Sequence, residues 1–199
     1  MKLASDFYLR DNVVEISKQL LGKILFSNIG NKICAGMIVE TEAYAGVTDR
    51  ASHAYGCRNT ERTKIMFAKG GTAYVYLCYG IHHLFNVVTN NEGVPHAVLV
   101  RAIEPFEGIE TMLKRRNKNK LDIKLTSGPG KLSEALGIKY THNGLSLYEN
   151  KIWIEDVGIK IEPKQIISAK RIGVDYAKED ALLPYRFFIK ENKWVSKLK

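Results

Sequence analysis

Cysteine is scarce: the 199 residues carry only Cys34, Cys57 and Cys78, widely spaced and without a C-x-x-C pair. An odd, scattered set excludes a disulfide framework and a zinc cluster, and it fits a reducing compartment. Neither a metal nor a cofactor is implied. Long apolar runs are lacking as well. Nothing approaches the ~18 residues of a membrane helix, and the opening M-K-L-A-S-D-F-Y-L-R has no signal-peptide core. A cytoplasmic protein without membrane contact is the expectation. No repeat, low-complexity segment or linker divides the sequence, so residues 1–199 read as one domain.

Acidic residues are also in short supply, 21 against 30 Lys and Arg, which leaves a net charge of +9. A surplus of that size favours a polyanionic partner such as nucleic acid. An anionic lipid surface would attract it too, but no basic amphipathic helix is present to lie on one.

What the chain does contain is most telling between residues 33 and 44. The two-residue alternation predicts a strand with Glu40, Glu42 and Tyr44 on one face and Thr41 and Ala43 on the other. Carboxylates are depleted in strands. Two of them beside an aromatic ring, after the apolar Ile38-Val39, mark either a functional site or salt-bridge partners for the many Lys and Arg. Arg101, inside the apolar run 96–103, needs a carboxylate or phosphate partner, and Glu42 is a candidate.

In chain order, Asp11 would cap a helix over residues 12–21 that Gly22 stops. Residues 23–26 and 32–40 would form a hairpin. From 44 to 63 periodicity is lost, and loops of that length are often functional. His53, Arg58 and Arg62 in it are either site and phosphate contacts or surface. A short helix over 61–68 precedes a second hairpin, 72–78 and 82–89, turned at Tyr79-Gly80. Core packing accounts for Tyr74 or Tyr76 but not for an aromatic at the turn, and proteins that deform DNA drive such side chains into the base stack. Asn86, in the returning strand, needs hydrogen-bond partners from protein or ligand. Helices over 107–115 and 131–136 follow. The second is entered through S-G-P-G-K-L, where Lys131 and free backbone N–H groups suit a DNA phosphate or make an ordinary helix start. Further strands are placed around Trp153, at 171–174 and at 185–189. The result is a mixed α/β (α+β) domain, a curved and mainly antiparallel sheet flanked by helices, with the Tyr79 hairpin protruding at a DNA-binding face.

In order along the chain, V-E-T-E-A-Y at 39–44, Ser52-His53, Y-V-Y-L-C-Y-G at 74–80 with Asn86, L-V-R-A at 99–102, S-G-P-G-K-L, R-I-G-V and W-V-S at 194–196 resemble the 3-methyladenine (alkyladenine) DNA glycosylase family over nearly the whole length. The resemblance implies a monofunctional, monomeric enzyme, at the nucleoid if bacterial, acting on double-stranded DNA that contains damaged purines: 3-methyladenine, 7-methylguanine and, as further candidates, hypoxanthine and ethenoadenine. It would flip the lesion out and hydrolyse the N-glycosidic bond with an activated water, leaving an abasic site. It implies Glu42 as the general base and Arg101 beside the water. Tyr44, His53 and Tyr76 would wall the base pocket, Asn86 would exclude the 2-amino group of guanine, and Tyr79 would fill the vacated stack. Apart from the resemblance, the basic positions in the long loop and at the helix start make Arg58, Arg62 and Lys131 the expected contacts to the DNA backbone. Ile81 departs from the family pattern.

Two other classes fit parts of the sequence. A non-enzymatic binder would stack its tyrosines on single-stranded bases and keep Glu42 structural. A glycosidase would use Glu40 and Glu42 as its pair, but carboxylates two apart on one strand face lie ~7 Å apart at Cα and flank one side of a substrate instead of bracketing a bond.

Overall fold

Twelve residues, Ile33–Tyr44, form one strand whose neighbours account for much of the sheet. The computed structural model describes residues 1–196. In chain order it contains helices α1 (Ser5–Tyr8) and α2 (Val13–Gln19) and strands β1 (Ile24–Asn28), β2 (Ile33–Tyr44), β3 (Ala73–Cys78), β4 (His82–Thr89) and β5 (His96–Glu107). Helices α3 (Ile109–Arg115) and α4 (Pro129–Leu136) follow, then strands β6 (Ile152–Glu155), β7 (Ile166–Ala169) and β8 (Arg186–Ile189). The strands join in one antiparallel sheet in the order β3-β4-β5-β2-β1-β6. Strand β1 pairs with the first part of β2, and β8, itself paired with β7, takes residues Glu40 to Glu42. The expected mixed fold, a single domain with a curled antiparallel sheet and a few helices, is what forms. Among the described residues no helix is long and apolar enough to cross a membrane.

Alternation holds along β2. Thr41 faces α2, where its hydroxyl donates to the Ser17 carbonyl at 2.9 Å, while Glu40 and Glu42 face the opposite way toward Arg101. Pairing of β2 with β5 slips on either side of Glu40. Such bulges re-aim side chains, and this one falls at Glu40 and leaves Arg101 without a partner in the β2–β5 register. Helix α2 buries Val13 and Ile16, with Leu20 just past its end; α4 packs on β4 and β5 with Leu132, Ala135 and Leu136 buried. Each fully buried Leu or Ile contributes roughly 1.5–3 kcal/mol. Gly137, at φ +74°, ends α4 in the left-handed conformation that a side chain resists.

Several local expectations need correction. Asn12, not Asp11, caps α2, accepting from the Glu15 amide. Residues 61–68 make turns and a 3-10 helix at Lys64–Phe67 instead of an α-helix, held by the Thr63 hydroxyl on the Arg58 carbonyl. Strand β5 runs on through Pro105 to Glu107, because the proline sits at a second register slip, opposite Gly36, where no ladder donor is required. Residues 171–174 are not a strand. Their polar groups are committed to tertiary partners, and the strand in this region is β7, a few residues earlier.

The β3–β4 hairpin pairs from Ala73↔Val87 to Cys78↔His82 and ends in Tyr79, Gly80 and Ile81. Tyr79 and Gly80 have φ of +50° and +73°. Glycine takes this conformation freely, whereas for a tyrosine it costs roughly 1–2 kcal/mol. The strained residue is also 90% exposed.

Candidate active site

Glu40 is fully buried, yet its carboxylate is saturated with donors. Nε of Arg101 donates at 2.9 Å, Nε of Arg186 at 2.8 Å, the Ser196 hydroxyl at 2.8 Å and the Ser196 amide at 2.7 Å. Buried charge is tolerated only when paired and bonded in this way. Glu40 thereby holds β2, β5, β8 and the segment after β8 on one carboxylate. The sequence offered Glu42 as partner for Arg101; the guanidinium bridges both acids, with Nη1 3.2 Å from Glu42 Oε1. Burial works against the charge of Arg101, but Glu42 and Glu40 outweigh it and push its pKa up.

Glu42 is equally buried. Its Oε1 also accepts from the Ile172 amide at 2.8 Å, and its Oε2 accepts from the Tyr44 hydroxyl at 2.9 Å. A carboxylate has about four acceptor positions, so one on Oε2 is left over. Burial, and then the charge of Glu42, push the Tyr44 hydroxyl well up, so it stays a donor. The Arg171 guanidinium covers Tyr44, with Cζ 4.9 Å from the ring centroid, and is itself gripped by Asp49, with Nη2 to Oδ1 at 2.8 Å.

Tyr44, Arg101 and Ile172 separate Glu42 from a cavity of about 630 Å³ and line it themselves. His53, Arg62, Tyr76, Tyr79 and Asn86 also line it, so seven of the residues singled out in the sequence surround one space with Glu42 directly behind its wall. His53 packs edge-on to Tyr76, centroids 4.7 Å apart, and its Nδ1 lies 2.9 Å from the Tyr74 hydroxyl. Burial, then the charges of Arg62 and Arg58, lower the His53 pKa to about 4, so the ring is neutral near pH 7. Burial pushes Tyr74 up to about 12. Nδ2 of Asn86 donates to the carbonyls of Tyr74 and Leu84, which leaves Oδ1 for a ligand.

Arg58 and Lys131 stand outside the cavity. Arg58 is exposed on the long loop. Lys131 is half-buried in the first turn of α4, where burial and then the neighbouring Arg116, Lys118 and Lys124 push its ammonium down. Sequence reasoning overlooked Tyr176, which lines the cavity and donates its hydroxyl to the Ala51 carbonyl at 3.1 Å, and it gave no role to the Ile172 amide or Ser196. Tyr176 lies in an irregular 3-10 segment without periodicity to expose it, and a backbone amide leaves no mark in a sequence.

A cavity walled largely by uncharged aromatic rings, with a carboxylate–guanidinium pair at its back, suits a flat heterocycle and a water attacking beside it. Comparison with known proteins agrees. A family model described as methylpurine-DNA glycosylase matches residues 6–193. A protein of Clostridium perfringens strain 13 is 45% identical over 205 residues, covering 99% of this chain and 100% of the relative. One of Clostridium acetobutylicum is 46% identical over 206 residues, covering 100% and 99%, and one of Chlamydia felis 45% identical over 192 residues, covering 96% and 97%. Each bears the name "Putative 3-methyladenine DNA glycosylase". On the family match over residues 6–193 and these identities, the chain belongs to the methylpurine-DNA glycosylase family.

Proposed function

We propose that this family member, a hydrolase acting on N-glycosyl bonds, removes 3-methyladenine and 7-methylguanine, and with them hypoxanthine and ethenoadenine, from double-stranded DNA. The observation that carries the reading is the Glu42 carboxylate, held by Arg101, Ile172 and Tyr44 directly behind an aromatic-lined cavity with room for a purine. A base inside a duplex is out of reach, so the lesion flips out at a cost of a few kcal/mol, less for a damaged or mispaired base. Tyr79 at the hairpin tip fills the gap. Its exposure and its strained backbone support that role.

Inside the cavity the purine stacks between Tyr44 and the His53–Tyr76 pair. A 3- or 7-methylated purine is a cation, so the tyrosine faces add roughly 0.5–2 kcal/mol of cation–π attraction, and the charge makes the base a good leaving group. A water on the open position of Glu42 Oε2, with Arg101 beside it, gives up its proton to the carboxylate as its oxygen bonds to C1′ of the sugar. The C1′–N bond breaks, and its electron pair leaves with the base. Asn86 guards the purine edge against the 2-amino group of guanine. Arg58 and Lys131, with the basic residues around Lys131, hold the phosphates. The enzyme works as a monomer in the cytoplasm, at the nucleoid if the host is bacterial.

Glu42→Gln tests the reading on a duplex with one 7-methylguanine. Release of the base is expected to fall by about 10²-fold or more, with binding to an abasic-site duplex retained. Undiminished release would remove Glu42 from the chemistry, whereas a wild type that binds the duplex and releases no base would favour a stacking protein without activity.

A further inference from the structure

Arg62, assigned from sequence to the DNA backbone, lies on the cavity wall. Its Cζ is 5.3 Å from the centroid of the Tyr76 ring, and its charge reaches His53, Tyr74 and Cys78, which line the same space. Arg101, the other cation there, is neutralised by Glu40 and Glu42. None of the ion pairs among the described residues includes Arg62. The cavity therefore presents one uncompensated positive charge, over the ring on which a flipped base would stack.

A guanidinium on a tyrosine face is favourably placed, but a methylated purine brings its own positive charge to the same face. The two cations compete for the ring and repel one another. A neutral purine competes for the face without repulsion and offers acceptors to the guanidinium. We infer that Arg62 sets the preference of the cavity between neutral and cationic purines, holding back methylated bases relative to deaminated ones. The inference rests on the glycosylase reading of the site.

The test compares single-turnover release of 7-methylguanine and hypoxanthine from otherwise identical duplexes. In Arg62→Gln the ratio of the first rate to the second is expected to rise about tenfold, the effect of removing one unit charge several ångströms from another in a partly screened cavity. Arg62→Lys keeps the charge and is expected to keep the ratio near wild type. Arg58→Gln, on the same loop but outside the cavity, should slow both reactions alike. Equal slowing of both lesions in Arg62→Gln would mark a phosphate contact and overturn the inference, as would a wild type that releases 7-methylguanine but no hypoxanthine. A wild type that releases neither base would instead sink the glycosylase reading, and this inference with it. Independently of activity, the His53 titration midpoint, followed by NMR, should rise in Arg62→Gln. A midpoint unchanged from that of the wild type would place the guanidinium away from the cavity in solution and overturn the inference.

Discussion

Tyr44 donates a hydrogen bond from its hydroxyl to the carboxylate of Glu42, two residues back on the same face of β2, at 2.9 Å. The ring serves the cavity and the hydroxyl serves the acid, so the two can be separated by substitution. Tyr44→Phe keeps the ring and removes a bond to a buried charge, which is worth about 1.5–3 kcal/mol. Urea unfolding should show a loss of that size, while binding to lesion-containing duplexes persists. Stability equal to wild type would mean the bond does not persist in solution.

The hairpin tip makes a different prediction. Tyr79→Ala should leave thermal stability unchanged, because the side chain is 90% exposed, and weaken binding to a lesion duplex by roughly 1–3 kcal/mol, the worth of one stacked aromatic. Tyr74 is the natural comparison, but it is buried and bonded to His53, so truncation would disturb the core. Tyr74→Phe is the fair partner. If it weakens binding as much as Tyr79→Ala does, the wedge role of Tyr79 fails.

For the fold, the demanding residue is Glu40. Replacing it by Gln leaves Arg101 and Arg186 buried against a neutral amide, and breaking such a pair typically costs about 3–5 kcal/mol. Ser196→Ala removes one hydroxyl donor and should cost only about 1 kcal/mol. Chemical denaturation of the two variants would read the difference, and comparable losses would show that Glu40 is not the centre of the network.

His53 sets a pH dependence. Its folded pKa, about 4, lies below the ordinary value of 6.5, so the unfolded chain takes up a proton first as the solution is acidified. Above pH 6.5 the folded state loses nothing to this group. Between pH 6.5 and 4 stability should fall by up to about 3 kcal/mol, and below 4 this contribution levels off. His53→Gln should flatten the profile in that window. A wild-type profile already flat there would contradict the depressed pKa.

Local pattern revealed much of this site and long-range chemistry the rest. Strand β2 was legible because alternation fixes which side chains share a face, and the Tyr79 turn because Gly80 follows an aromatic with no reason to be there. Tyr44, His53, Tyr76, Asn86 and Arg101 came with the family resemblance and do surround one cavity. Glu40 was seen as half of an ambiguous pair; its anchoring role depends on Ser196, 156 residues away, which no periodicity connects to it. The 171–174 segment read as a strand from its β-branched residues, but Arg171 is drawn to Asp49 and the Ile172 amide to Glu42. Arg62 was read from its loop as a DNA-backbone contact, and only the folded backbone shows it over Tyr76.

Ser196 reaching back to Glu40 also has a meaning for biosynthesis. A nascent chain that has emerged from the ribosome only through β5 already contains Glu40, Glu42 and Arg101, but neither Arg186 nor the two Ser196 donors. Its central acid is then short of three of its four bonds, and the carboxylate is fully satisfied only once Arg186 and Ser196 have joined it.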